Sequence, residues 1–574
     1  MIKNYELKHP QIIIYYKSKK KLIDIKNYIE NNSDILKNKY LDFCKKIENI
    51  KLTNRSLYGH FEIANNHNLW EMSLIKEKSN LKSDSIYKVI IFLAIEKIIS
   101  ENKINKIIFS NILIKEKVLD YFFKNKKIIY EHVNTLDVVR TPKSFLKNFF
   151  LVRLIFYFIF LLRKIFIELK SNNFIDSNSN FTVFSYFAHF KKITNNLSFS
   201  QFGDLNNMLK SKYALDSQYI FVPNKNNKSI NSLPSIIKKN YSFLNGNLNF
   251  YNKLSIICKF FFYSFKFFFI KKIIISKLNN IHFCLFSLLS KDYESSFCGP
   301  VLIDNLIWIS VFENYLSKTK RKECGIFLLE NQAWEKAMIT SWKNYKHGEI
   351  IGYTPTSINY WHLYNFDCST KNYTSPSKVL VSSDEGFKLL KNQYRKKNIK
   401  IFKVESLWFN YLLKIKNIKN NQKKEFILIL GDYLPENNYK IFEIILNSKI
   451  KKSKAIFFKP HPHDMHKYNI KNITITKKNN EHFFKLPVVV VSPGSTAAVL
   501  EYLFFGKKVY IYDDPDGLDL SPVKNLDYQF RFKSVKDFDN ILKVNFSKKT
   551  IVNNFKNYYF LDKNLKKWKN IFYI

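Results

Sequence analysis

The chain has 574 residues and a formal net charge of +46, so it is too long for one hydrophobic core and long enough for two or three domains. Lysine and asparagine abound while glycine is scarce, a bias that an AT-rich genome produces without functional pressure. No arginine-rich tract, zinc-finger spacing or aromatic ribonucleoprotein pattern accompanies the charge, so we expect no nucleic-acid partner. Six cysteines lie far apart without metal-ligand spacing, which indicates a reducing cytoplasm.

Residues 1–143 are predicted to form an N-terminal α/β region. The first segment, MIKNYELKHPQIIIYYKSKKK, has no small-residue cleavage site, and we expect a strand there rather than a signal peptide. Further along, the strand-like runs IIIYY, KIIFS and KIIYEH alternate with helical stretches such as SIYKVIIFLAIEKIISEN. This alternation is typical of βαβ units and predicts a parallel sheet.

Two strongly apolar stretches, at 144–175 and 253–277, interrupt the α/β pattern. In the first, Arg153 and Arg163 are too close together to leave room for the ~20 apolar residues of a spanning helix. On a helical wheel its cations share one sector and leave an aromatic and aliphatic face opposite. One interpretation is a pair of helices packed on a soluble core with their lysines outward. The other, favoured by the density of phenylalanine between cations, is helices lying in a membrane interface.

The α/β pattern resumes in two later regions. Residues 176–410 contain the strand-like runs FTVFSYF, SQYIFVP, CGIFLLE, EIIGYTP and KVLVSS and are predicted to form a second α/β region. A basic linker at 411–424 then precedes a C-terminal domain at 425–545 and a helical tail at 546–574. In the C-terminal domain the short apolar runs AIFF, VVVV and VYIY are bounded by turns, which predicts parallel strands of a doubly wound sheet covered on both faces.

Polar groups follow two of these strands, beyond the carboxyl ends where doubly wound sheets bind ligands. In Lys-Pro-His-Pro-His (459–463) two prolines hold the loop extended, so His461 is held in one direction and can donate to a phosphate or protonate a leaving group. Ser495 and Thr496 precede a helix, where hydroxyls and free amides suit an anion. Simple capping of a structural helix is the alternative. Together the two turns predict a phosphate or nucleotide site.

The motif KPHP, followed by SPGSTAAVLEYLFFGKKV, resembles the nucleotide-binding half of GT-B glycosyltransferases of bacterial surface polysaccharides. That group includes capsule Kdo-transferases, bacterial sialyltransferases and CDP-glycerol glycerophosphotransferases. The resemblance implies that His461, Pro462, Ser495 and Thr496 hold the donor's phosphate and nucleotide.

A wider resemblance rests on LWEMSLIKEKS, FLLENQAWEKAMITSWK and GEIIGYTPTSINYW. These segments are similar to an uncharacterised family of surface-carbohydrate (O-antigen) biosynthesis proteins. The two resemblances imply an α/β fold of two Rossmann-like domains facing a cleft (GT-B type), with basic amphipathic helical insertions. Residues up to 410 would then form the acceptor-side domain, and residues 425–545 would bind the donor.

An inverting transferase needs a general base for the acceptor hydroxyl. Glu330 ends the run GIFLLE and is the first candidate, and Glu335 either serves as the base or braces Glu330. Asp384, in Asp-Glu-Gly, resembles the acidic motif of the bacterial sialyltransferases. Glu330 and Asp384 also fit ordinary helix starts. The other donor- and phosphate-binding candidates are Gly431, Lys459, Gly494 and Glu501, and further acceptor-side candidates are His189, Gly203 and Asp204.

No Asp-x-Asp motif is suitably placed, and Asp513-Asp514 runs directly into Pro515, so we expect neither a metal nor a cofactor. Lys459 and the helix N-terminus would take the cation's place. The expected function is transfer of a sugar from a nucleotide-sugar donor, CMP-sugar favoured, to a lipid-linked or polysaccharide acceptor. The enzyme would lie on the anionic inner face of the cytoplasmic membrane. Alternatives are a CDP-polyol phosphotransferase or sugar-nucleotide epimerase of the same fold, and a non-catalytic membrane-associated scaffold.

Overall fold

The chain is described by a computed structural model. The described residues are 10–16, 19–110, 114, 116–124, 126, 128–133, 150–168, 178–187, 202, 205–221, 230, 233, 242–244, 248–355, 357–366, 373–415, 425–432, 434–452, 454–461, 464, 466–524, 528, 530–544 and 558–573. Of the predicted site residues, His189, Gly203, Asp204 and Pro462 lie outside them, as does most of the predicted linker.

The N-terminal region forms a four-stranded sheet packed against helices. Its strands, and those of a small hairpin, are β1 Gln11–Tyr16, β2 Lys19–Asp24, β3 Lys51–Leu52, β4 Arg55–Ser56, β5 Lys106–Ser110 and β6 Ile129–Val133. Its helices are α1 Ile25–Asn31, α2 Ser33–Glu48, α3 Leu57–His60, α4 Leu74–Glu77, α5 Ser85–Glu101 and α6 Glu116–Phe123.

The prediction of a parallel N-terminal sheet is wrong. The strand order is β2-β1-β5-β6, and only the pair β5–β6 is parallel. The lysine-rich segment after β1 turns back and pairs with it in an antiparallel hairpin, and β1 also runs antiparallel to β5. Lysines on β2 are compatible with its position at the sheet edge, where charged side chains face solvent and discourage further pairing.

The middle region contains a seven-stranded sheet with the order β13-β12-β11-β10-β7-β8-β9, parallel throughout. Its strands are β7 Phe181–Phe187, β8 Leu215–Phe221, β9 Ser242–Phe243, β10 Cys324–Leu328, β11 Glu349–Thr354, β12 Lys378–Val381 and β13 Lys400–Lys403. Its helices are α7 Phe150–Arg163, α8 Leu205–Leu209, α9 Phe250–Ser276, α10 Asn280–Leu288, α11 Ser290–Cys298, α12 Pro300–Leu316, α13 Ala333–Asn344 and α14 Asp384–Arg395. A π-helical turn, Lys164–Glu168, continues α7.

The C-terminal region contains a six-stranded parallel sheet with the order β16-β15-β14-β17-β18-β19. Its strands are β14 Phe426–Leu430, β15 Ile456–Lys459, β16 Thr474–Ile475, β17 Val488–Pro493, β18 Lys508–Tyr512 and β19 Arg531–Phe532. Its helices are α15 Pro435–Asn447, α16 Asn480–Phe484, α17 Ala498–Phe504 and α18 Val535–Ile541. Buried apolar clusters lie on both of its faces, as the continuous apolar strands require.

The last helix, α19 Lys566–Phe572, crosses back to the middle sheet. Its Trp568 is fully buried among side chains of that sheet, and the indole donates to the carbonyl of Glu405 (2.8 Å). Two doubly wound parallel sheets and a returning C-terminal helix confirm the predicted fold class of two Rossmann-like domains in a GT-B arrangement.

The N-terminal region bridges the two parallel sheets. Lys26 donates to the carboxylate of Asp513 (2.6 Å), just beyond β18. Glu30 accepts from the indole of Trp361 (3.1 Å), on the middle side, and from the backbone of Asp519 (3.1 Å), on the C-terminal side. These contacts hold the edges of the two sheets towards each other.

Among the described helices, none is by itself long and apolar enough to cross a membrane. One pair bent by 41°, α11 and α12, meets that criterion by length and composition.

Candidate functional site

The C-terminal sheet changes direction between β14 and β17. From β14 the chain adds β15 and β16 on one side, and then β17, β18 and β19 on the other. The crevice beyond such a switch point is where open α/β sheets bind ligands. Asp432 follows β14 at this point, and Gly494, Ser495 and Thr496 follow β17.

The carboxylate of Asp432 organises the switch point. It accepts from the amide of Asn437 (2.8 Å), from the backbone of Leu434 (3.2 Å) and from the hydroxyl of Ser495 (3.0 Å). The alternative interpretation, in which Ser495 simply caps the following helix, is therefore wrong. Helix α17 starts later, with Ala497 at its N-cap and no side-chain cap, because the turn directs the serine hydroxyl across the switch point to Asp432.

A cavity of about 370 Å³ opens at this switch point. One wall is formed by Asp432, Gly494, Ser495 and residues of the loop 513–520. The other is formed by Asn80 and Ser83, just before α5, and by Tyr87 in its first turn. The Tyr87 hydroxyl and the Asn80 amide oxygen are buried and have no hydrogen-bond partner among the residues that the structure describes. Because buried polar atoms are normally paired, these two atoms offer a donor and an acceptor to a polar ligand.

The cavity has an acidic rim whose charge is largely compensated. Asp513 pairs with Lys26 and Arg531, and Asp514 and Asp516 both pair with Lys440 (3.0 and 2.9 Å). Burial opposes ionisation of Asp513, but Lys26 and Arg531 hold its pKa below the ordinary value. A carboxylate held ionised in this way can accept hydrogen bonds from ligand hydroxyls. In the described part of the chain, no group of three or more His, Cys, Asp or Glu side chains is arranged to hold a metal ion.

The predicted Lys-Pro-His loop lies beside the switch point, at the end of β15. Gly431 packs directly on it: a Cβ on Gly431 would meet the backbone nitrogen of His461 at 2.7 Å and the carbonyl oxygen of Lys459 at 3.0 Å. The glycine therefore lets the ends of β14 and β15 approach each other closely. The structure thus brings Gly431 and His461 together, although His461 is not among the residues that line the cavity.

Two other predicted donor residues are held in a buried network. The Lys459 ammonium donates to Asn480 (2.6 Å), whose amide donates to the Glu501 carboxylate (2.8 Å). Burial raises the pKa of Glu501. Neither Lys459 nor Glu501 lines the cavity, so the structure gives them the role of bracing the β15–α17 side of the sheet.

The middle sheet has its own switch point, between β7 and β10. Tyr186, near the end of β7, donates to the carboxylate of Glu330, which follows β10 (3.4 Å). Gln332 also donates to Glu330 (2.6 Å). Burial raises the pKa of Glu330 above its ordinary value. The first candidate base therefore follows β10, the strand that corresponds to β17 of the C-terminal sheet, after which Gly494 and Ser495 lie.

Glu335 holds the turn that carries Glu330. Its fully buried carboxylate accepts from the backbone N–H groups of Glu330 (3.0 Å) and Asn331 (2.9 Å), and Asn331 adopts a positive φ of 55°. Burial, and then the charge of Glu330, raises the pKa of Glu335 well above its ordinary value. Of the two roles predicted for Glu335, these contacts match bracing. Helix α13 takes its N-cap from Gln332 without a side-chain bond, so Glu330 is not its cap.

A chain of contacts runs from Tyr364 to the cavity. Burial, and then the charge of Glu330, raises the pKa of Tyr364. The Tyr364 hydroxyl contacts His362 (3.1 Å), and His362 contacts the amide of Asn359 (3.4 Å). Asn359 in turn donates to the carbonyl of Leu520, which lines the cavity. Residues 359–364 of the middle region therefore connect to the cavity wall at Leu520.

Asp384 lies elsewhere. It is the first residue of α14, where Ser383 supplies the cap and Lys403 pairs with the aspartate (2.5 Å). It borders a different cavity, between α14 and the C-terminal segment. These contacts are those of an ordinary helix start.

Sequence reasoning missed most of the cavity wall. Asp432 was visible as the residue after Gly431 at the end of a buried strand, and the Asp513–Leu520 loop was visible as an acidic cluster after VYIY. The α5 wall had no comparable signal, because it comes from a region far away in sequence.

No protein-family model matches the chain, and no curated protein matches it. Among solved structures, similarity extends to the UDP-GlcNAc 2-epimerase from Neisseria meningitidis bound to UDP-GlcNAc, with 10% identity over 68% of this chain and 98% of that chain and a TM-score of 0.38. The glycosyltransferase SnogD from Streptomyces nogalater is 8% identical over 66% of this chain and 95% of that chain, with a TM-score of 0.33. The fold assignment rests on the strand orders of the two parallel sheets.

Proposed function

We propose that this chain is a glycosyltransferase of GT-B type that acts in the biosynthesis of a bacterial surface polysaccharide of O-antigen or capsule type. It would move a sugar from a nucleotide-sugar donor to a lipid-linked or polysaccharide acceptor. The observation that carries the proposal is the cavity at the switch point of the C-terminal sheet, lined on its other side by residues at and just before the start of α5. Nucleotides bind in this place in doubly wound sheets, and about 370 Å³ suits a nucleoside or a sugar unit.

The donor would lie across the cavity. Hydroxyls of its ribose or sugar would bind to Asp432, to the orphaned atoms of Tyr87 and Asn80 and to the acidic rim. The turn Gly494–Thr496 would place its backbone amides against the phosphate, with the His461 loop on the neighbouring strand end. Similarity of the motifs to Kdo- and sialyltransferases favours a CMP-sugar.

Glu330 would act as the general base. Its carboxylate would take the proton of an acceptor hydroxyl while the hydroxyl oxygen attacks the anomeric carbon. The bond from that carbon to the phosphate oxygen would break, and the nucleotide would leave with the electron pair. A raised pKa suits this role, because a base works best with a pKa near the working pH. The proposed reaction requires neither a metal nor a cofactor.

Product analysis tests the proposal. The protein is incubated with CMP-, CDP-, UDP- and GDP-linked donors and a lipid-linked acceptor, with and without EDTA. A new glycosidic bond with free nucleotide supports it. An altered sugar on an intact donor identifies an epimerase, and a phosphodiester product identifies a polyol phosphotransferase.

Matched variants identify the site. Glu330→Gln and Asp432→Asn should each lower turnover at least about 100-fold, to a residual rate that can still be measured. Glu131→Gln, on the exposed side of β6, should not. If glycan assembly in cells needs the chain but tolerates Glu330→Gln and Asp432→Asn, the protein is a non-catalytic scaffold and the proposal fails.

The location follows as a further part of the proposal. A transferase that uses cytoplasmic nucleotide sugars and a lipid-linked acceptor would work at the inner face of the cytoplasmic membrane.

A further inference from the structure

Helices α7 and α9 lie side by side on the surface. Phe150, at the start of α7, stacks near Phe268 late in α9 (ring centroids 4.6 Å apart), and Phe158 lies near Phe261 (5.1 Å). Beyond the end of α7, Phe166 lies under the ammonium of Lys253, early in α9 (5.1 Å). Later positions on α7 therefore meet earlier positions on α9, and the two helices run antiparallel.

Two cations of the α7 segment face the protein. Arg153 forms an ion pair with Glu294 on α11, and Lys164, in the turn that continues α7, pairs with Asp304 on α12. The opposite side of α7 carries Ile155 and Ile159, which are 60% and 57% exposed. Helix α7 thus packs on the protein through Leu154 and Leu161, as one of the two interpretations expects, but Lys164 faces the protein rather than outward and part of the aliphatic surface is exposed.

Helix α9 continues the same surface. Leu254, Phe262, Phe265 and Phe269 recur at helical spacing along one side and are 50%, 59%, 40% and 65% exposed. We call these four residues, with Ile155 and Ile159, the apolar face. Helix α9 has 27 residues and so is about 40 Å long at 1.5 Å per residue. Apolar patches of this extent on soluble proteins mark an interaction site.

The charge around the apolar face indicates what kind of surface it binds. Helix α9 contains five lysines and no carboxylate, and α7 contains two arginines and no carboxylate. The ammonium groups of Lys266 and Lys272 lie over the rings of Phe262 (5.4 Å) and Phe268 (5.7 Å). Phenylalanines flanked by lysines without acids complement a surface that is anionic outside and apolar beneath, which is the profile of interfacial helices.

We propose that the apolar face docks on the surface of an anionic phospholipid bilayer, with α7 and α9 lying in the plane of the interface. The phenylalanines and isoleucines enter the boundary between headgroups and acyl chains, and the lysines of α9 contact lipid phosphates. This docking stands on α7 and α9 alone and does not depend on the activity proposed for the cleft.

Sedimentation with vesicles tests the docking. The full-length protein should bind vesicles of phosphatidylglycerol and phosphatidylcholine more tightly than vesicles of phosphatidylcholine alone. Binding should weaken as salt rises, because salt screens the lysine–phosphate attraction. Replacing Lys272 by alanine should lower binding to anionic vesicles roughly fivefold.

Matched double variants separate the apolar face from net charge. Phe262→Glu/Phe269→Glu should lower binding at least about tenfold, since two aromatic side chains leave the interface. The control, Ile35→Glu/Val544→Glu, adds the same charges at residues that are 48% and 53% exposed elsewhere and should bind like the original protein within about twofold. Circular dichroism checks that both variants fold.

Three results would overturn the proposal. Equal binding to neutral and anionic vesicles would show that lipid charge does not contribute to docking. Equal losses of binding in the two double variants would show that the apolar face does not contribute. The third result comes from sedimentation velocity. If the original protein is a dimer that Phe262→Glu/Phe269→Glu converts to monomers, and neither protein binds vesicles, then the occupant is a second copy of the chain.

Discussion

Replacing Gly431 by alanine tests how the strand ends are positioned at the cleft. The added Cβ would meet the His461 backbone nitrogen at 2.7 Å, against about 3.4 Å for ordinary contact, so the loop must retreat by roughly 0.7 Å. The nearest atoms are all backbone, so rotation of a side chain cannot relieve the clash. Overpacking of this kind costs about 1–3 kcal/mol, and a displacement approaching 1 Å lowers turnover by up to about 100-fold.

Two assays measure these effects: urea unfolding, which gives the loss of stability, and donor turnover. Gly59→Ala is the matched control, because the nearest atom to its new Cβ is 3.6 Å away and the residue lies in α3. Alanine there should stabilise by up to about 1 kcal/mol. If Gly431→Ala unfolds and turns over like the original protein, the close approach of β14 and the His461 loop does not matter for the site.

Three other substitutions probe the remaining parts of the structure. Although burial opposes it, hydrogen bonds from His67 and Tyr345 lower the pKa of Glu313 to about 2. The contribution of Glu313 to folding stability is therefore complete above pH ~4.5 and is lost as the pH falls towards 2. Glu313→Gln should cost about 3 kcal/mol near pH 7 and should make the free energy of unfolding less dependent on pH between about 4.5 and 2. Because the pKa of Glu330 is raised, turnover should fall on acidification with an inflection above that of an ordinary glutamate, and Glu330→Gln should remove this limb from the pH–rate profile. Glu30→Ala breaks the contacts to Trp361 and to the backbone of Asp519 and should lower the free energy of unfolding, measured in urea, by about 3 kcal/mol. An unchanged midpoint would mean that these contacts do not join the two sheets.

The parallel sheets could be predicted because their strands are buried on both faces. The run VVVV has no alternation, and it forms β17, whose residues are all buried. A polar turn after such a strand marks the carboxyl edge, so Gly431 and Glu330 could be placed at strand ends before the strand order was known.

The switch points could not be predicted, because they depend on strand order. Nothing local in the sequence shows that β14 lies beside β17, or that β7 lies beside β10. For the same reason the hydrogen bond from Ser495 to Asp432, 63 positions apart, could not be predicted. Local propensity favours a helix cap at Ser495 instead. The prediction of a parallel N-terminal sheet was wrong for a different reason. Strand-like runs separated by helices do not determine the direction in which β1 pairs with its neighbours.

The helical wheel gave the two faces of α7 but not their orientation. The wheel put the cations in one sector, yet Arg153 and Lys164 face the protein because Glu294 and Asp304, more than 130 positions away, pair with them, whereas Arg163 is exposed. Long-range ion pairs of this kind are not encoded in local periodicity.

Nucleotide binding tests the central claim most directly. Melting curves are recorded with CMP-, CDP-, UDP- and GDP-compounds for the original protein and for Asp432→Asn, because a ligand bound only by the folded state raises the melting temperature. The cleft at the C-terminal switch point predicts that one nucleotide class, CMP favoured, raises the melting temperature of the original protein and that the shift is largely lost in Asp432→Asn. No shift with any nucleotide, or an equal shift in the variant, would contradict it.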